Sequence, residues 1–271
     1  DEDPQETLRL IRSIPGGQFA WQFEGLGVIS LDDEGYVYVT DGHYERTWIE
    51  PGEGEGEGEG FWYERLTRER VKKLTRDGAL VTQWTTREKS PGVSQFSRSV
   101  GMAVDPASDR LFVAGQYVDT DPRNYVDVYS TSGTFLASWD LSDLTPQDVA
   151  VDRSGNVYIT GGQSIRVLDG ETGTTVDEWT TNRWPIALAV DTQGIVSLLV
   201  SDGQELVIER YDAAGHLQAT WDAGVSYSWW APPGRLAVDA AGNVYLIGAC
   251  TYEGVLVYAP DGSAAWLPGD W

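Results

Sequence analysis

The sequence predicts an all-β chain folded as a β-propeller, a ring of small four-stranded sheets, and three observations carry that expectation. One phrase returns five times: an apolar residue, a small residue, a branched apolar residue and Asp, as Ile29-Ser-Leu-Asp32, Met102-Ala-Val-Asp105, Val149-Ala-Val-Asp152, Leu188-Ala-Val-Asp191 and Leu236-Ala-Val-Asp239. Four of these Asp residues are followed three positions on by Gly (Gly35, Gly155, Gly194, Gly242) and then by a run rich in Val and Tyr. A Trp stands six residues after a second turn Gly in four copies, pairing Gly78 with Trp84, Gly133 with Trp139, Gly173 with Trp179 and Gly215 with Trp221. Self-similarity at a near-fixed period signals a repeat architecture.

Each unit reads as four short strands, a to d. Strand a is the apolar phrase ending at Asp, whose recurrence beside a Gly turn is explained by capping, a short carboxylate accepting backbone N–H bonds. Strand b follows as Tyr36-Val-Tyr-Val, Asn156-Val-Tyr-Ile, Ile195-Val-Ser-Leu and Asn243-Val-Tyr-Leu, and the Asp105 copy reaches Leu111-Phe-Val-Ala through a longer turn. Strands c and d flank the second Gly turn. Blades stacked around an axis bury both faces against neighbours, so the five Trp residues of strand d are expected as wedges between blades. In the last copy Gly262 and Trp266 are closer together, which predicts a shortened or irregular outer strand.

The wording of the repeat resembles the NHL family of propellers, whose blades commonly read as a Gln-Phe pair, a spacer, a strand ending in Asp, a Gly turn and a Val-Tyr-Val strand. Gln22-Phe23 stands six residues before Ile29, and Gln95-Phe96 six before Met102. The resemblance covers residues 8–266, although the Asn-Arg that often follows strand b is absent apart from a distant echo in Tyr44-Glu-Arg46. It implies a six-bladed norm closed by strands from both chain ends. Five full units are visible, plus an extra N-terminal strand at residues 7–14, so the sequence leaves a compact five-bladed ring and a six-bladed one open, with a lean toward six. The family includes scaffolds, ligand sensors and a few enzymes, so the resemblance fixes no activity.

The 271 residues suit one propeller domain, 1–271. With 19 Lys and Arg against 42 Asp and Glu the net charge is −23, which argues against nucleic acid or an anionic membrane as partner. An acidic chain with only Lys72, Lys73 and Lys89 suits an exposed setting, and the start at Asp1 reads as a processed N-terminus after export, placing the protein outside the cell or at its surface. The lone Cys250 excludes an internal disulfide and a Cys-based zinc site. No stretch has the roughly 18 apolar residues that span a bilayer.

In a propeller the b–c and d–a connections share one face. The long, irregular segments 41–66, 85–100, 115–124, 222–235 and 249–254 all fall there, which makes it the candidate functional face. Its largest feature is a hairpin insertion at 44–66 in blade 1, expected to project with a disordered acidic Gly-Glu tip at 51–60. An isolated ribbon is marginal in water, so Trp48, Ile49, Phe61, Trp62 and Tyr63 are expected to pack on the ring or on a partner. Tyr227, Trp229 and Trp230, with Trp184 in the neighbouring link, form a second aromatic group suited to a protein anchor or a sugar ring. Trp184, beside Pro185, reads instead as a plug of the channel mouth.

Enzyme readings fare poorly. Propeller enzymes known to the resemblance use several His residues around zinc, or a carboxylate, Asn and Asp around a divalent metal in the channel. His43 ends a strand b and His216 follows a c–d turn, so the two belong to opposite faces and cannot share a metal. No nucleophile elbow, P-loop or dinucleotide fingerprint occurs, and no cofactor is expected. The favoured reading is a non-catalytic propeller that binds protein, or itself, through the hairpin face and strand edges. The alternative is a metal-dependent lactonase-type hydrolase drawing on some of Asp41, Asp148, Gln163 and Asp202.

Overall fold

The computed structural model describes residues 26–49, 61–86, 97–105, 107–117, 124–203, 205–226, 234–248 and 254–268. These residues form twenty strands and, among them, no helix. Blade 1 consists of β1 (Leu26–Leu31), β2 (Val37–Ile49), β3 (Phe61–Leu74) and β4 (Leu80–Thr85). Blade 2 comprises β5 (Ser97–Asp105), β6 (Arg110–Tyr117), β7 (Asn124–Ser130) and β8 (Phe135–Asp140). Blade 3 holds β9 (Pro146–Val151), β10 (Asn156–Gly161), β11 (Ser164–Asp169) and β12 (Thr175–Thr180). Blade 4 contains β13 (Trp184–Val190), β14 (Val196–Ser201), β15 (Glu205–Tyr211) and β16 (Leu217–Ser226). Blade 5 is built from β17 (Arg235–Val238), β18 (Val244–Ile247), β19 (Gly254–Tyr258) and β20 (Ala264–Pro268).

Every sheet runs a-b-c-d in chain order, and every pair is antiparallel. The inner strands stand side by side as β1, β5, β9, β13 and β17, which gives the five-bladed propeller ring. The N-terminal strand expected at 7–14, on which the choice between five and six blades turned, lies outside the described residues.

The turn Asp residues do what their position suggested. Asp32, Asp152, Asp191 and Asp239 each accept the amide four residues on, at 2.8 to 2.9 Å from Tyr36, Asn156, Ile195 and Asn243. In three copies the second oxygen takes the phenol six residues on: Tyr38 at 3.1 Å, Tyr158 at 3.2 Å and Tyr245 at 2.9 Å. Burial, then the Asp239 bond and charge, push the Tyr245 phenol up to about 12. The fourth copy has Ser197 where Tyr would stand. There Arg210 from the next strand donates to Asp191 at 3.1 Å and lies 5.1 Å from the centre of the Trp221 ring, so an ion pair replaces the phenol. Blade 2 lacks the turn Gly, and Asp109 takes the left-handed conformation at φ +54°, which Asp tolerates better than most residues.

The core lies between blades, with one apolar cluster at each of the four successive interfaces from blade 1 to blade 5: Met102, Val104, Leu111 and Val113 meet Tyr38 and Val71 between blades 1 and 2, and Leu246, Leu256 and Tyr258 meet Leu199 and Ile208 between blades 4 and 5. The strand-d Trp residues close these interfaces by a repeated contact. A Cβ on Gly133 would fall 2.7 Å from the Trp84 ring, one on Gly215 2.6 Å from Trp179, and one on Gly262 2.6 Å from Trp221; Gly173 meets Trp139 likewise. Each wedge therefore rests on the bare backbone of the turn in the following blade.

The fifth Trp departs from the expectation. In blades 1 to 4 the c–d pairing shifts by one residue beside the turn, and Trp84, Trp139, Trp179 and Trp221 face Val71, Val126, Ile165 and Ile208. The β19–β20 register has no such shift, so Trp266 faces Leu256 and Leu267 faces Val255. A one-residue slip turns a side chain to the other face of the sheet. Trp266 is accordingly 53% exposed and is not a wedge.

Candidate functional site

The β2–β3 ribbon is the long hairpin that the sequence predicted. Its strands pair continuously outward to Ile49 opposite Phe61, with Trp48 opposite Trp62 and Thr47 opposite Tyr63, and one register shift at His43/Tyr44. The tip at 50–60 and the side chains of these five aromatic and apolar positions lie outside the described residues. The ribbon's root is fixed by charge: the buried Asp41 carboxylate is 2.7 Å from Arg70 and 2.9 Å from Lys72. Glu69, also buried, accepts the Ser99 hydroxyl at 2.6 Å and so ties blade 1 to blade 2.

The links entering blades 3 and 4 are pinned by ion pairs between a link residue and strand c. Arg166 holds Asp143 with two bonds of 2.8 Å, a fork that suits a planar guanidinium. Arg183 meets the buried Glu209 at 2.9 Å, and Tyr211 donates to the other Glu209 oxygen at 2.6 Å. Burial and then Glu209 push the Tyr211 phenol above its ordinary value. Next to Arg183, Trp184 opens β13 and is 55% exposed, which corrects its reading as a channel plug: a plug would be enclosed. Tyr227, Trp229 and Trp230 lie outside the described residues.

Arg235 crosses the channel instead. From blade 5 its guanidinium donates to the Val100 carbonyl of blade 2 at 3.2 Å and lies 4.0 Å from Asp148 of blade 3. Asp148 itself has 13% of its side chain exposed and accepts the Val149 amide at 2.9 Å and the Leu188 amide of blade 4 at 3.0 Å. Burial pushes its carboxyl up to about 6, against the opposing pull of Arg235 and the two amides. A cleft carboxylate so displaced is a functional-site signal. The sequence singled out Asp148 but not Arg235, because a contact made across the ring leaves no local pattern.

The other residues considered for a metal hydrolase do not gather around it. Asp41 is engaged by Arg70 and Lys72, Asp202 accepts the Glu205 amide at 3.0 Å, and exposed Gln163 donates to the Asn182 carbonyl at 3.3 Å. Among the described residues no three His, Cys, Asp or Glu side chains could hold a metal ion together. His216 is occupied at its own turn, 3.2 Å from Asp212. The chain has no helix, among the described residues, long and apolar enough to cross a membrane.

Five four-stranded blades around an axis define a β-propeller. A family model described as SBBP, β-propeller repeat, matches residues 140–161, which bears out a propeller repeat without singling out the NHL kind. No curated protein matches the sequence. Among solved structures the chain is similar to a protein of unknown function from Bacteroides caccae, at 12% identity and TM-score 0.57, covering 90% of this chain and 81% of that one. It is also similar to Kuenenia stuttgartiensis hydrazine synthase, at 13% identity and TM-score 0.57, covering 91% of this chain and 66% of that one, just under two thirds of its length. At such identities the likeness concerns the fold alone.

Proposed function

We propose that this propeller is a non-catalytic binding module at the cell surface or outside the cell, which engages protein, copies of itself included, through the face carrying the ribbon. The observation that supports this best is the ribbon: strands β2 and β3 run 13 and 14 residues, beyond the six to ten residues of most other strands. They place Trp48 and Trp62 opposite one another away from the blade core. Exposed Trp184, held beside the anchored Arg183, adds a second aromatic on the same face. Trp and Arg dominate binding hot spots. The acidic, Lys-poor composition supports an exposed setting and a partner other than nucleic acid.

The test replaces Trp48, Trp62 and Tyr63 together by Ser, and separately Trp184 by Ser. Self-association is read by sedimentation, and crosslinked partners from a cell-surface extract are identified by mass spectrometry. Loss of more than about 2 kcal/mol of association is expected from anchor residues. If both variants assemble and crosslink as the parent protein does, the ribbon is an ornament and the reading fails.

A further inference from the structure

We propose that Asp148 and Arg235 form a proton-operated latch across the central channel, closed when the carboxylate is ionised and released when it takes up a proton. The inference is independent of the ribbon's binding role.

Geometry carries it. Asp148 and Arg235 occupy the same position of the inner strand in their blades, immediately before the recurring phrase, and blade 4 stands between them. Blades 2 and 4 carry Gly101 and Ala187 at that position. The small residue matters in blade 2, where a Cβ on Gly101 would come 2.9 Å from Asp148 Oδ1 and 2.7 Å from the Val149 nitrogen. The vacancy admits the carboxylate, and the carboxylate draws the long side chain of Arg235 over the channel. One half-exposed guanidinium thus joins blade 5 to blades 2 and 3.

The surroundings give the pair its sensitivity. Around Asp148 stand Gly101 from β5, the Leu188 amide from β13 and Arg235 from β17, with Thr160 of β10 as its partner in the ladder. Gln116 from β6 donates to the nearby Pro146 carbonyl. Among the described residues Arg235 is the one charged group facing it. An ionised carboxylate therefore has a single counter-charge, and neutralising it leaves the guanidinium with only the Val100 carbonyl. Burial has already moved the Asp148 carboxyl up to about 6, where modest acidification operates it.

The experiment follows the Asp148 carboxyl by carbon NMR through a pH titration and amide exchange of residues 234–238 at about pH 5 and about pH 8, corrected for intrinsic rates. In the parent protein the carboxyl should titrate near pH 6, and Arg235→Gln should raise the midpoint by removing the counter-charge. Protection of 234–238 should fall by about tenfold at the lower pH, the change in equilibrium that one pK unit represents. Asp148→Asn should show the weaker protection at both pH values. A carboxyl titrating in the ordinary range, a midpoint unmoved in Arg235→Gln, or protection independent of pH would each overturn the latch.

Discussion

The backbone of Gly215 in blade 4 lies directly against the indole of Trp179 in blade 3, so close that a Cβ would stand 2.6 Å from the ring, and the residue is left-handed at φ +75°. Two separate penalties therefore attach to any side chain there. A left-handed non-glycine residue costs about 1 to 2 kcal/mol, and overfilling a packed site about 1 to 3 kcal/mol. Gly194, at φ +80° with its nearest heavy atom 3.7 Å from a Cβ, carries only the first. Gly215→Ala should exceed Gly194→Ala in lost stability by about 1 to 3 kcal/mol in urea denaturation. Equal losses would mean that the Trp179 ring moves aside freely.

The register slip of blade 5 predicts unequal Trp residues. Trp221→Ser removes a half-buried wedge that stacks on Tyr258 at 6.1 Å, and should cost on the order of 3 kcal/mol. Trp266→Ser removes a ring 53% exposed and should cost about 0.5 kcal/mol or less, the range of surface changes. Thermal denaturation of both variants checks the pair; similar losses would place Trp266 back among the wedges.

Blade 4 offers a test by reversion. Ser197 pairs with Arg210 in the ladder, while at the same places blade 3 pairs Tyr158 with Val167 and blade 5 pairs Tyr245 with Val257. Arg210→Val alone strands the Asp191 carboxylate, which is 6% exposed, and should cost about 3 kcal/mol or more. Adding Ser197→Tyr restores the phenol of the other blades and should recover a large part of that loss. A double variant no better than the single one would show that the blade 4 backbone cannot receive the ring.

Asp148 shapes the pH dependence of stability. Its carboxyl lies up at about 6, above the ordinary 3.8, so the folded protein holds this proton more tightly than the unfolded chain does. The group's contribution is most favourable below pH 4, declines as pH rises to about 6, and stays at its least favourable above that, a change of about 3 kcal/mol. Asp148→Asn should flatten this segment of the curve. Its gain at neutral pH should fall short of 3 kcal/mol by about one hydrogen bond, because an Asn cannot accept both the Val149 and Leu188 amides. Chemical denaturation from about pH 4 to pH 8 reads the slope, and an unchanged slope would assign the titration elsewhere.

Replacing residues 51–60 by a short turn should leave the melting temperature within a few degrees of the parent value, since a change under about 1 kcal/mol moves it little. The apolar clusters between blades are the source of that stability. A collapse of the cooperative transition would show that the segment packs on the blades.

How far the sequence was legible follows from what each feature depends on. The Asp caps and the four wedges are local, set by offsets of three, four and six residues, and both could be read directly. Trp266 misled because the one-residue shift beside each c–d turn of blades 1 to 4 has no sequence mark of its own; only counting from Gly262 showed an irregular outer strand, and not which way its Trp would turn. Asp148 stood out as a channel residue, yet the contact with Arg235 joins distant blades through the axis. The small size of Gly101 and Ala187 at the matching positions was the one available hint.

The contact between each outer Trp and the turn of the next blade also gives the ring a direction in time. During synthesis the Trp84 face waits uncovered until the turn at Gly133 has emerged, and Trp139 then waits for Gly173. Each blade thus caps its predecessor while leaving its own flank unfinished. If the blades fold as they emerge from the ribosome, each intermediate carries an uncovered Trp flank at the most recently made blade.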